Sequence, residues 1–276
     1  MQRHNRIGLA LCGLIFIGGF LFKGHLSYYF NIASLMIVAG GSATAAILSF
    51  QLERLKIVVR VVRASYQHQL KTEEEIVDIL IDLSIKSRME GILSLEKDEH
   101  ETSIHFLRRA LGCLVDNYEP QQIRDILNTE MYFFKLRRED SERVLRTIAD
   151  FCPAFGIVGS VAGLIPMLAG ISDTNIILKT VPLALTSILY GLIFANFFFT
   201  PFAANLRERT NQELLLQKII MEGIIAIESE LNPTVLRTKL LSFLTPSARK
   251  ADLVPLARIQ ERFHIRDDDR PGPASL

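Results

Sequence analysis

At 276 residues, 49% of them hydrophobic, and with a mean hydropathy of +0.25, the chain is too apolar for an ordinary soluble protein. A formal net charge of +1 gives no bulk attraction to nucleic acid. Cys12, Cys113 and Cys152 show no metal-ligand spacing and no disulfide framework, so they read as free thiols. Trp is absent, which leaves interfacial anchoring to Tyr, Phe and basic residues.

Met1 to Arg6 is short and basic, and Ile7 to Phe22 is an apolar run closed by Lys23. A signal peptide starts this way too, but no small-residue cleavage site comes after it and a second apolar run begins almost at once. That run, Phe30 to Phe50, contains Gly40-Gly41-Ser42-Ala43. Residues 1–50 therefore read as a transmembrane hairpin with spans over about 7–22 and 30–50, joined by a tight connection, Lys23 to Tyr29.

Residues 51–150 are densely charged and helical in period, a cytoplasmic helical domain. Leu55, Val58, Val59 and Val62 recur at helix spacing and predict that the second span continues into water. Thr72-Glu73-Glu74-Glu75 has the Thr-x-x-Glu form of a capping box ahead of Ile76, Ile79, Leu80 and Leu83, and Gly91 interrupts that helix. Ile104, Leu107, Leu111 and Leu114 mark another helix. Pro120 opens a last one, with Ile123, Ile126 and Leu127, which runs through Val144 and Ile148 into the next segment.

That segment, Phe151 to Pro166, organises the chain. It is uncharged, rich in Gly, and long enough with its continuation to cross a bilayer at ~1.5 Å per residue. Gly156, Gly159 and Gly163 allow close helix packing, with Gly159 and Gly163 a small-xxx-small pair. Val181 to Pro201 is the fourth span, so 151–204 forms a second hairpin with spans of about 151–170 and 181–201. Arg207-Glu208-Arg209 returns the chain to water. Residues 205–246 hold C-terminal helices, broken at Asn232-Pro233, and 247–276 reads as a flexible tail. Arg3 and Arg6 before the first span and Arg207 and Arg209 after the fourth, against Lys23 and Lys179 outside, place both termini in the cytoplasm. The fold class is all-α: a polytopic membrane protein with four transmembrane helices and a helical cytoplasmic domain.

The central thirds of the four spans carry no Asp, Glu, Lys, Arg or His. An ion relay through a bilayer ordinarily needs an intramembrane carboxylate. Either the chain is no ion path, or a partner helix supplies the carboxylate. What the chain does offer is a polar, Gly-lined surface. Pro153, Gly156, Ser160, Gly163 and Met167 fall near one face of the third span, and Thr186, Tyr190, Phe197 and Pro201 near one face of the fourth. The plain alternative for Ser160 and Thr186 is back-bonding to the preceding helical turn. For Pro153 and Pro201 the plain alternatives are helix initiation and termination; two prolines at matched depth point instead to a hinge or gate. Arg88 and Glu96 flank Gly91 and, read alone, are surface charges. No nucleophile–base pair, phosphate loop or metal cluster points to an enzyme, and His4, His25, His68, His100, His105 and His264 show no ligand pairing.

Ser87-Arg88-Met89-Glu90-Gly91-Ile92-Leu93-Ser94-Leu95-Glu96, Pro153-Ala154-Phe155-Gly156-Ile157-Val158-Gly159-Ser160, and Leu189-Tyr190-Gly191 through Pro201-Phe202-Ala203 together resemble the MotA/PomA stator subunits of the bacterial flagellar motor. These belong to a wider group with the TolQ/ExbB energisers. The resemblance covers about residues 1–250. It implies a homo-oligomeric ring in the inner membrane around a MotB/PomB-like dimer, whose single-span helix carries the ion-binding Asp. It implies passage of H+ or Na+, with no cofactor, coupled to the rotor switch protein FliG. In the resemblance Arg88 and Glu96 match charged rotor-contact residues, and Pro153 and Pro201 match paired prolines near the channel. Ser160 stands where sodium-type members usually have Thr and some proton-type members have Ala. Thr186 and Ser187 stand at a position that is usually Thr-Thr. An ExbB/TolQ-like energiser is the alternative, against which stands the two-span hairpin ahead of the cytoplasmic block. A structural scaffold with no ion path is a third reading.

Overall fold

The computed structural model describes residues 11–15, 18–19, 29–67, 71–169 and 174–244. Most of the predicted first span, most of the connection after it and the tail from 247 lie outside the described residues. The regular elements are helical throughout, and there is no strand among the described residues.

Helix α1, Ile32–Ser49, starts where Asn31 Oδ1 accepts from the Ser34 N–H at 3.2 Å. It stops at Phe50, whose backbone turns extended (φ −136°, ψ 143°) while its N–H still reaches the Ala46 carbonyl. The Gln51 carbonyl then accepts from Arg54 and Leu55, at 3.0 and 3.2 Å, and begins a separate helix, α2, Leu52–Gln67. The second span therefore does not run on into the next helix, although the spacing of Leu55, Val58 and Val62 predicts that it would. Periodicity carries no signal for a break made by one extended residue.

Helix α3, Glu73–Glu90, is capped by Thr72, whose Oγ1 accepts from the Glu75 N–H. Glu73, Glu74 and Glu75 fill its first turn and Arg88 its last, which suits the helix dipole at both ends. Gly91 ends it with φ +83°, a backbone that L side chains rarely adopt. A 3-10 turn, Ile92–Leu95, leads into α4, Glu96–Glu101. Helix α5, His105–Val115, buries Phe106, Leu107, Ala110, Leu111 and Leu114 on one face.

Helix α6, Pro120–Ala169, runs 50 residues with Pro153 and Pro166 inside it. At ~1.5 Å per residue it is about 75 Å long. Helix α7 is Thr174–Ile193, a π-helical turn comes next at Phe194–Phe199, and α8 is Thr200–Glu228. Helix α9, Pro233–Leu241, takes Asn232 as its cap, with Oδ1 accepting from the Thr234 N–H at 2.9 Å.

The two prolines depart from their plain readings. Pro153 does not initiate α6, which Pro120 opens, and Pro201 does not terminate its helix, which continues to Glu228. The π turn shows how the chain accommodates Pro201. The Thr200 N–H donates to Ala195, five residues back, which widens the turn just ahead of a ring that would otherwise press on the preceding turn's carbonyl.

Three described helices are long and apolar enough to cross a membrane: Ile32–Ser49, Pro120–Ala169 and the stretch Thr180–Glu228. The described residues fall into two compact units, one within 1–70 and 129–214, the other within 71–128 and 215–244. Val58 of α2 packs with Val144, Leu145, Ala203 and Leu206 in the first unit. The second unit buries Leu80, Ile123, Leu127, Ile219, Ile220, Leu236 and Leu240. Helices α6 and α8 each contribute residues to both units, so no loop marks the border.

Candidate functional site

The membrane half of α6 presents one closely packed face. Cys152, Gly156, Gly159, Ser160 and Gly163 are buried, while Ile157, Val158, Val161, Leu164 and Ile165 are exposed as a lipid-facing surface would be. The reason for glycine is legible in distances. A β-carbon on Gly156 would stand 3.0 Å from the Ser187 carbonyl oxygen and 3.3 Å from the Ile188 Cα. One on Gly163 would stand 3.1 Å from the Ala184 N. From the other side, a β-carbon on Gly191 would meet the Cys152 carbonyl oxygen at 2.6 Å and the Pro153 Cα at 3.1 Å. Helices α6 and α7 thus approach backbone to backbone, the contact that small residues permit in a membrane.

Against this contact the polar groups of α7 gather. Thr186 and Ser187 are buried, and so is Ser34 of α1. The Thr186 hydroxyl donates to the Pro182 carbonyl at 2.7 Å, and the Ser187 hydroxyl to the Leu183 carbonyl at 2.8 Å. These are the back-bonds expected of hydroxyls in a helix. Thr186 does more, because its Oγ1 lies 2.8 Å from Ser34 Oγ, which also reaches the Leu183 carbonyl at 2.9 Å. Three hydroxyls and a carbonyl therefore converge where α1 meets α7. The cluster is uncharged and rich in oxygen lone pairs. Nothing in the sequence pattern singles out Ser34 from Ser42 and Ser49 in the same apolar run.

Tyr190 lies one turn further along α7. Its hydroxyl donates to the Tyr29 carbonyl at 2.6 Å and accepts from the Asn31 N–H at 2.9 Å, so it fastens the start of α1. Phe197 and Pro201 do not share the face of Thr186 and Tyr190: both are exposed. The π turn, Phe194–Phe199, contains Phe197 and inserts one residue ahead of Pro201, which rotates the helix beyond it by about 100° relative to an unbroken one. Pro153 is half-buried on the face that Gly191 approaches.

Arg88 and Glu96 are both exposed, on either side of the Gly91 turn. Arg88 Nη2 donates to the Glu230 carbonyl, beyond the end of α8, where Glu230 itself has φ +51°. Lys86 and Asp98 form an ion pair at 2.7 Å between α3 and α4.

A second charged centre escapes a reading of the sequence. Glu222 on α8 is buried among three cations: Lys239 of α9 at 2.8 Å, Arg124 of α6 at 2.9 Å and Lys218 one turn away at 3.5 Å. Burial alone would push the carboxyl up. The hydrogen bonds from Lys239 and Arg124 more than reverse this and hold it at about 2, so it is ionised. Arg124 and Lys239 lie on other helices, and only the fold brings them to Glu222. Among the described residues no group of three or more His, Cys, Asp or Glu could hold a metal ion.

The fold and this surface define a helical membrane protein whose spans pack through glycine around buried hydroxyls. Comparison with known proteins makes the class specific. Residues 98–218 match the model of the MotA/TolQ/ExbB proton channel family. Motility protein A of Treponema pallidum is 31% identical over 250 residues, covering 91% of this chain and 96% of that protein. Chemotaxis protein PomA of Vibrio alginolyticus is 28% identical over 251 residues, covering 88% and 98%. The flagellar MotAB stator complex from Bacillus subtilis contains a chain that matches with a TM-score of 0.83 at 26% identity, over 90% of this chain and 98% of that one. The chain belongs to the MotA/TolQ/ExbB proton channel family.

Proposed function

We propose that this chain is the channel-forming subunit of a bacterial flagellar stator in the inner membrane. It assembles as a ring around a dimer of a single-span, MotB/PomB-like partner and converts passage of H+ or Na+ into torque. The observation that carries this reading is an absence paired with a presence. The described apolar stretches 32–49, 151–169 and 180–201 hold no Asp, Glu, Lys, Arg or His, yet they bury Ser34, Ser160, Thr186 and Ser187. Such a surface complements a partner's carboxylate without supplying one. Relatives named motility protein A and PomA, and the likeness to a MotAB stator complex, support the assignment to motility.

In this reading Ser160 and Thr186 face the ion path and Gly156, Gly159 and Gly163 set its wall. Pro153 and Pro201 mark where α6 and α8 can flex, and Tyr190 fixes α1 beside them. Arg88 and Glu96 meet FliG on the rotor, and both termini lie in the cytoplasm. The chain acts as a transport subunit and not as an enzyme, and it needs no cofactor beyond the transported ion.

A clean deletion tests the reading. Flagellated but paralysed cells are expected, and Arg88→Glu should weaken torque without abolishing assembly. Normal swimming after deletion, with altered uptake or envelope phenotypes, would move the assignment to the energiser branch of the family.

A further inference from the structure

Charge is the visible feature of the Gly91 turn, but apolar exposure is the unusual one. Among the described residues of 71–128 and 215–244, four large apolar side chains are exposed: Met89, Leu93, Tyr118 and Val235. Met89 and Leu93 are each 73% exposed and stand two residues either side of Gly91. No lipid contact accounts for them, since neither lies in an apolar span.

The turn that carries them is held in shape. Gly91 at φ +83° sets its direction, and its carbonyl accepts from both the Ser94 N–H, at 3.2 Å, and the Ser94 hydroxyl, at 2.7 Å. Leu95 is fully buried and fastens the far end to the core. The Lys86–Asp98 pair bridges the helices on the two sides, and Arg88 is fastened to the Glu230 carbonyl. An apolar pair on a preformed turn loses little conformational freedom on contact, which is what makes an exposed side chain an effective anchor. A guanidinium has further N–H donors, so Arg88 bonded to Glu230 can still meet a carboxylate.

We propose that Met89 and Leu93 are the anchors of the surface bordered by Arg88 and Glu96. They seat in an apolar notch of a protein partner whose rim carries a carboxylate facing Arg88 and a cation facing Glu96. The inference rests on the reading of Arg88 and Glu96 as rotor contacts and deepens it. Apolar burial holds the contact, while the two exposed charges, which salt screens, steer it and fix its register.

The test uses the full-length chain, expressed with its native single-span partner in cells deleted for it. Torque is read on tethered cells, and assembly by co-purification with the partner. Met89→Ser/Leu93→Ser should leave co-purification intact and weaken engagement about tenfold, seen as loss of most of the torque. Met89→Leu/Leu93→Met should keep it. Wild-type torque in the double-serine cells overturns the inference while leaving the stator reading standing. So does loss of co-purification, which would place the pair inside the assembly. Normal swimming in the deletion strain removes the stator reading itself, and the inference with it.

Discussion

A β-carbon on Gly159 would lie 2.7 Å from Ser187 Oγ and 2.8 Å from Ser187 Cβ. The buried hydroxyl of α7 therefore occupies the space that the glycine of α6 leaves. Gly159→Ala should lower the stability of the solubilised protein by about 1–3 kcal/mol through overpacking. Ser187→Gly in the same chain should recover part of that loss. Thermal unfolding in detergent checks both, and an additive double variant would show that the two residues are not coupled.

Thr186 and Ser34 make the buried hydroxyl contact between α7 and α1. Thr186→Val should cost ~1 kcal/mol, because Ser34 keeps the Leu183 carbonyl as a partner. Ser34→Ala loses both of its contacts and should cost at least as much. In motility assays Thr186→Val and Ser160→Val should each impair swimming, whereas a scaffold with no ion path would tolerate them.

Glu222 gives the 71–128 and 215–244 unit an acid limit. Its carboxyl drops from an ordinary 4.5 to about 2 in the folded chain. The stabilisation is fully present above the ordinary value and fades as the pH falls from about 4.5 towards 2. It is worth ~3 kcal/mol at neutral pH. Glu222→Gln should remove this pH dependence and destabilise the unit by a few kcal/mol, since three cations lose their counter-charge. Acid titration of wild type and variant, monitored by circular dichroism, would decide the point.

Gly91 has open space where a β-carbon would go, so its constraint is φ alone. Gly91→Ala should cost ~1–2 kcal/mol of local stability through the backbone. Hydrogen exchange at the Ser94 amide, which is bonded to the Gly91 carbonyl, should quicken in the variant.

The helices are legible in the sequence wherever their signals are local. Thr72 before Glu75, Gly91 after Glu90 and Asn232 before Pro233 each mark a helix end that the structure shows, because caps and breakers act within one turn. The break at Phe50 is not legible, since an extended Phe carries no compositional mark. Nor is the π turn at Phe194–Phe199. It is a register shift in an apolar run, and it moves Phe197 and Pro201 off the face that a steady 3.6-residue period assigns them. Of the polar cluster, Thr186 and Ser187 can be named from the sequence, but their partner Ser34 sits on a helix far away along the chain. The Glu222 centre is hidden for the same reason, with Arg124 and Lys239 on different helices.

The unbroken run of α6 from Pro120 to Ala169 offers a protease, or an inserted reporter domain, no loop to enter. The joints between helices among the described residues are Phe50–Gln51, Lys71–Thr72, Gly91, Thr102 to Ile104, Asp116 to Glu119, and Ser229 to Asn232. Within the described residues, limited digestion is therefore expected to cut at those joints. A fluorescent tag placed anywhere along α6 would report the cost of cutting a rod.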